Sequence, residues 1–268
     1  MSATGDTNPD RAAILAALIS QVCDTILEAG DCLLQAVDGV PAKAGQFAQL
    51  YYIREQARCV ATVAMDVHLL VINHRLDNLV GLCRVAFESR ISLYAAMRAP
   101  HFAAQKLLGQ AQGNVREFEE VAKGAPGNEV FQQALADHRR LLQQMREDYA
   151  GVAERTWKIK EAARDAGLLD DYNDYYSILS KAAHNTPAGL AAKTDPHIIA
   201  SSLLRLLHDT LETAAALVFF RERDDTAPQP VTQAWEALIP PLEALGERYR
   251  NLYSRLKEVM TNLAPGHL

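Results

Sequence analysis

The sequence is poor in most of the features that would narrow its function. It holds four cysteines in 268 residues, Cys23, Cys32, Cys59 and Cys83, and none of them forms a Cys-x-x-Cys pair. A zinc site would want closer ligand spacing than this. Each cysteine falls in an apolar stretch, so buried free thiols in a reducing compartment are expected. Glycine (14) and proline (11) are sparse and fall mostly between periodic segments, which favours long helices joined by short turns. There is no surplus of positive charge. Against 33 Asp and Glu stand 27 Lys and Arg, for a net charge of −6. Without a long-range field that attracts polyanions, non-specific DNA binding is not expected, although a local basic patch is compatible with this balance. Phosphate-binding glycine loops, a G-x-G-x-x-G fingerprint and an H-E-x-x-H pair are all absent. Disorder requires low hydrophobicity with high net charge, and 49% hydrophobic against 22% charged residues meets neither condition.

The segment Met1 to Asp10 is polar and lacks the charged and apolar regions of a signal peptide, so a cytoplasmic location is expected. The stretch Leu69 to Ala96 is strongly apolar yet carries His74, Arg75, Asp77, Arg84, Glu88 and Arg90. Those groups are costly in lipid, which predicts a buried helix and no membrane span.

What the sequence does have is helical periodicity. Ile14, Leu15, Leu18, Ile19, Val22, Ile26 and Leu33 recur at helical spacing and predict a first helix from about Asp10 to Val37. A second is expected over about Ala44–Val67. A third, about Leu69–Arg98, is apolar nearly all round and ends at Ala99-Pro100, since the residue before proline resists the α conformation. A fourth runs over about Phe102–Val121. A fifth, with Asn128 as N-cap, is predicted to reach Ala166 before Gly167 stops it. A sixth covers Asp170–His184, a seventh Asp195–Arg223 with Pro196 in its first turn, and an amphipathic last segment Val231–Leu263, which Pro240 and Pro241 should kink or split. The expectation is an all-α protein, a single bundle of about seven to eight helices with a long C-terminal helix. Its parts would be a disordered N-terminus (1–9), a bundle core (10–223), a linker (224–230) and a C-terminal helix (231–264) that packs on the core or on a second subunit.

Two places break the apolar pattern. Arg84 and Glu88 are four apart on the third helix and so share a face. They sit beside Val80, Phe87 and Ile91, and charges placed inward must be paired. On the sixth helix Tyr172, Tyr176, Ser180 and His184 are spaced by four and form one stripe. If the two helices face each other, Arg84, Glu88, Tyr176, Ser180 and His184 make one polar pocket. Arg84 would hold an anion, Glu88 would orient the imidazole, and Tyr176 or Ser180 would hydrogen-bond a ligand. The same residues read equally as a satisfied network that only fixes helix register. A Ser180–His184 hydrolase lacks a nucleophile elbow, and a metal at His184 and Glu88 lacks further ligands. No metal or other cofactor is therefore expected. A third feature is the run from Arg155 to Arg164, where Trp157, Lys158, Lys160 and Arg164 interleave an aromatic with cations as a single-stranded RNA groove does. A solvated helical face with Trp157 buried would give the same pattern.

Three pieces, Arg84-Val-Ala-Phe-Glu88, Trp157, and Tyr176-Ser-Ile-Leu-Ser-Lys-Ala-Ala-His184, resemble a family of uncharacterised bacterial all-helical proteins, over roughly Leu69 to Phe220. That family pairs Arg-x3-Glu on a central helix with a Trp about twenty residues before a Tyr-x3-Ser-x3-His helix. It is loosely similar to the HEPN helical domains, which occur as RNA-cutting toxins, phage-defence effectors and inert binding modules. Active members of that group use an Arg four to six residues before a His on one helix. No Arg precedes His184 at that distance here, so Arg84 would have to reach the site from another helix. The leading expectation is a non-catalytic module that binds a protein partner, its own second copy or a small anionic ligand, possible settings being stress or phage defence. The alternative is a metal-independent ribonuclease with His184 as general base, Arg84 stabilising phosphate charge and Glu88 orienting the base.

Overall fold

A computed structural model describes residues 9–38, 47–152, 155, 157–183, 195–222 and 236–262, and among them there are helices and turns but no β-strand. The all-α expectation holds. Helix α1 is Pro9–Asp38, α2 is Phe47–Ile72, α3 is Leu79–Arg98 and α4 is Pro100–Gly124. Helix α5 is Glu129–Asp148 and α6 is Ile159–Ala166. Helix α7 spans 169–183 and contains a π-turn over Tyr172–Tyr176. Helix α8 is Pro196–Glu222 and α9 is Ile239–Asn262. The expected linker at 224–230 and residues 1–8 lie outside the described residues.

Two boundaries differ from the sequence reading. The break expected between Val67 and Leu69 falls later, at Asn73–Arg75. There His74 takes φ 55, its N–H reaches the Val71 carbonyl, and the Arg75 N–H reaches Leu70 at 2.8 Å. This is a left-handed C-terminal cap with histidine where glycine is usual, so no glycine announces it. The predicted fifth helix stops at Asp148 rather than Ala166, and the chain turns through Gly151 at φ 89 before α6 begins. The split expected at Pro240 and Pro241 is present: Glu236 is helical, Ala237 and Leu238 form a turn, and α9 starts afresh at Ile239. The two prolines occupy the first turn of α9, where the missing N–H groups have no intrahelical partner to lose. Other signals hold. Ala99 is extended with Pro100 opening α4. The Asn128 side chain accepts the N–H groups of Val130 and Phe131 at 3.1 and 3.3 Å. Gly167 closes α6 at φ 73, with the Leu168 N–H on the Ala163 carbonyl at 2.8 Å.

The chain divides into two compact units. One comprises Met1–Pro41, Arg54–Arg90 and Leu169–Leu268. Its helices α1, α8 and α9 pack mutually. Leu18, Val22, Ile26 and Leu33 of α1 are buried, as are Leu245, Leu252 and Leu256 of α9, each contributing about 1.5–3 kcal/mol. Arg248 on α9 ion-pairs with Glu28 on α1 at 2.8 Å. By length and composition Ala13–Asp38 could cross a membrane; its apolar side is the one packed within this unit. The other unit comprises Ala42–Ile53 and Ile91–Leu168. There α4 and α5 form a hairpin around Leu108, Val115, Leu135 and Leu142, with Phe118 and Met145 packed alongside.

Candidate functional site

Helix α3 and helix α7 meet. Arg84 donates from Nε to Glu88 Oε1 and from Nη2 to the Tyr176 hydroxyl, both at 2.8 Å. Its guanidinium carbon lies 5.0 Å from the Tyr176 ring centroid, and Tyr172 stacks on Tyr176 at 4.5 Å. The Arg84 and Glu88 side chains are 25% and 33% exposed, so this pair sits at the edge of the helix and not deep in the core. Next to them Val85 is exposed, and α3 therefore has a wet side that its composition hid. Burial opposes the Arg84 charge, but Glu88 and Tyr176 outweigh it and hold the guanidinium above its ordinary pKa. Burial, reinforced by the Glu88 carboxylate, raises the Tyr176 phenol. Ser180 follows one turn later, half-buried. His184 lies outside the described residues.

The deeply buried charge on α3 is Arg90, which sequence reasoning passed over. Its side chain is 3% exposed and it donates to Asp209 Oδ1, itself fully buried, at 2.8 Å. Arg90 also reaches Asp171 Oδ2 at 3.2 Å. Arg205, one turn before Asp209 on α8 and 6% exposed, donates to the same Asp171 oxygen at 2.7 Å and lies 2.9 Å from Asp209 Oδ1. Two arginines and two aspartates thus share two oxygens and cancel in charge, with Glu212 a further acid at 4.0 Å from Arg90. The Arg205 guanidinium is flanked by the rings of Phe87 and Tyr175 at 4.7 and 4.4 Å, a cation–π arrangement. Burial works against ionising Asp171, yet Arg205 and then Arg90 overcome it and depress its pKa. The second Asp209 oxygen, Oδ2, is buried without a hydrogen bond among the described residues. A signal for this network existed: Arg205 and Asp209 are an i, i+4 charged pair inside the apolar run of α8, as Arg84 and Glu88 are on α3.

Two members of the network also line a cleft of about 700 Å³ between α7, α8 and α9. Asp171 and Arg205 line it with Tyr175, His208, Tyr249 and Tyr253. Apolar walls come from Ile178, Leu179, Ile198, Leu204 and Met260. His208 lies 3.7 Å from Asp209 and packs on Tyr249 at 5.7 Å. Burial, with Tyr175 and Tyr253 nearby, raises the Tyr249 phenol. The cleft takes Tyr175 and Leu179 from α7, the neighbours of Tyr176 and Ser180, so it opens on a different side of that helix from the Arg84 cluster. Among the described residues no three His, Cys, Asp or Glu side chains are grouped to hold a metal ion.

Residues 60–199, just over half of the chain, match a family of unknown function, DUF5677. The chain belongs to the DUF5677 family. No curated protein and no solved structure matches it significantly. The DUF5677 match contains Arg84, Glu88, Arg90, Asp171 and Tyr176. It stops before Arg205, His208, Asp209 and all of α9. The family region therefore supplies the Arg84 cluster whole, but only the Arg90–Asp171 half of the ion network and the α7 wall of the cleft, with the first residues of α8.

The basic run lies in the other unit. Trp157 precedes α6 instead of riding on a helix. Its Nε1 donates to Gln105 at 2.8 Å, its ring packs on Phe102 at 5.0 Å, and Arg155 lies over it at 3.6 Å. The indole is thus used within its own unit. Lys158, Lys160 and Arg164 are exposed.

Proposed function

We propose that this DUF5677 protein is a non-catalytic helical binding module whose ligand seat is the cleft between α7, α8 and α9. The observation that carries the reading is the cleft itself. Its volume of about 700 Å³ falls in the range of small-molecule sites, and it combines mostly apolar walls with a few fixed polar groups. The ion network holds Arg205 and Asp171 in the cleft wall, so the site is pre-shaped without a ligand. The test uses a neutral fluorescent dye, 1-N-phenylnaphthylamine, which brightens in apolar surroundings. The protein should bind it at one site. Ser201 lines the cleft and is exposed, so Ser201→Trp should fill the space without disturbing the core and abolish dye binding at an unchanged melting temperature. Failure to bind the dye, or binding untouched by Ser201→Trp, would remove the reading.

The rival is an RNA-cleaving, HEPN-like effector. Less supports it. Arg84 is already engaged by Glu88 and Tyr176, and Trp157 is held by Gln105, Phe102 and Arg155. Metal-free cleavage of an RNA pool that is lost in both Arg84→Gln and His184→Ala would decide for it. A second copy or a protein partner remains the third proposal, and sedimentation of the purified chain tests the first of these.

A further inference from the structure

Resting on the cleft as the ligand seat, we infer that its ligand is an apolar or aryl monocarboxylate, with Lys257 of α9 as the cation that receives its charge. The argument is one of charge and surface. Asp171 and Arg205 are charged residues of its wall, and both are already matched inside the buried network with Arg90 and Asp209. They add no net charge to the cleft. Lys257 also lines it, is exposed, and has no ion pair among the described residues. One surplus cation therefore faces an otherwise balanced wall. A nucleoside di- or triphosphate would bring two or more negative charges against that single lysine, into a cleft that the part-exposed Asp171 carboxylate also lines. Like charges sharing one cleft repel. A monoanion is matched. The remaining surface sets the rest of the ligand. Ile178, Leu179, Leu204 and Met260 supply aliphatic walls, and Tyr249 and Tyr253, 6.1 Å apart, supply ring faces for an apolar body. Ile178 and Tyr253 are about half exposed, large apolar groups left open toward the space a ligand would fill.

The experiment separates this inference from the reading beneath it. The full chain is loaded with 1-N-phenylnaphthylamine, and the dye is displaced by 4-phenylbutyrate, by its neutral amide 4-phenylbutyramide, and by ATP. The carboxylate should displace the dye about fivefold more effectively than the amide, the worth of one partly solvated charge pair. Lys257→Gln should erase that advantage while leaving dye and amide affinities unchanged, and its exposure keeps the fold out of the result. If the dye binds but the amide competes as well as the acid, if neither competes, if Lys257→Gln has no effect, or if ATP outcompetes the acid, the monocarboxylate inference is wrong and the cleft reading stands. If the dye itself does not bind, both fall together.

Discussion

The two arginine–carboxylate pairs at i, i+4 in this unit make a controlled comparison of burial. Arg84–Glu88 is 25% and 33% exposed, whereas Arg205–Asp209 is 6% and 0% exposed. Both are held at 2.8–2.9 Å on one helix, so chemistry and spacing are nearly constant. Glu88→Gln removes a charge from a pair that water already screens, and should cost about 0.2–1 kcal/mol. Asp209→Asn keeps the shape but strips the carboxylate that two buried arginines share. What is left is excess positive charge in the interior, with Asp171 as the remaining short-range counter-charge and Glu212 at 4.0 Å from Arg90. Breaking a buried pair in this way costs about 3–5 kcal/mol. That is a large part of the ~5–15 kcal/mol that holds a domain together. At about 2–4 °C per kcal/mol, the melting temperature should fall by roughly 10 °C for Asp209→Asn and by at most about 4 °C for Glu88→Gln. Thermal unfolding followed by circular dichroism measures both. Replacing Arg90 and Arg205 with Met, Asp209 with Leu and Asp171 with Asn together should recover stability above the single variant, because the buried ions are then removed with their partners. Equal losses for Asp209→Asn and Glu88→Gln would refute the claim that burial, and not pairing as such, governs these sites.

The pH dependence follows from Asp171. Its folded pKa lies below the unfolded carboxylate value of about 3.9. Its contribution is therefore complete above that value and is lost as pH falls through the lower folded pKa. Asp171→Asn should flatten the fall of the urea midpoint below about pH 4 relative to wild type, and an unaltered acid limb would contradict this. Burial lifts the Cys23 thiol to about 12 and raises Cys83 as well. At pH 8 a disulfide reagent should leave both unlabelled in the native protein and label both in urea; rapid native labelling of Cys83 would show that it is not shielded. Gly167→Ala forces a side chain into φ 73 and against the Arg98 guanidinium, so it should cost about 1–2 kcal/mol, read from the denaturation midpoint.

The fold was legible wherever a local signal marks a boundary. Ala99-Pro100, Asn128 and Gly167 each act within one turn of their own backbone, and each does what its chemistry predicts. His74 failed as a signal because a left-handed cap was filled by a residue that seldom takes it. The site was half legible for a related reason. Spacing by four put Arg84 with Glu88 and aligned Tyr172 with Tyr176, and the structure brings these together. No spacing rule joins Arg90 to Asp209 across 119 residues, or Asp171 to Arg205 across 34. The cleft was missed because its polar groups come from three helices, and on each one they look like an ordinary boundary between wet and dry faces.

The π-turn at Tyr172–Tyr176 connects these two outcomes. A π-turn takes one residue more than an α-turn, and it can absorb that residue while the α-helical segments on either side keep their faces. In α7 the segment before it carries Asp171, tied to both arginines, and the segment after it carries Leu179, 2% exposed in the cleft wall. If the turn is an absorbed residue, deleting exposed Asn173 should close α7 into a regular helix with Asp171 and Leu179 still in place. Stability should then be kept, and the residues in between, Tyr175 above all, should be re-aimed. The variant would melt as wild type does but lose dye binding in the cleft. If instead all residues after the deletion rotate by about 100°, Ser180 takes over the position of Leu179. A buried leucine site then receives a hydroxyl, at a cost of several kcal/mol. A melting temperature that collapses in the Asn173 deletion would therefore show that the π-turn sets the phase of α7 and is not a local bulge that aims Tyr175.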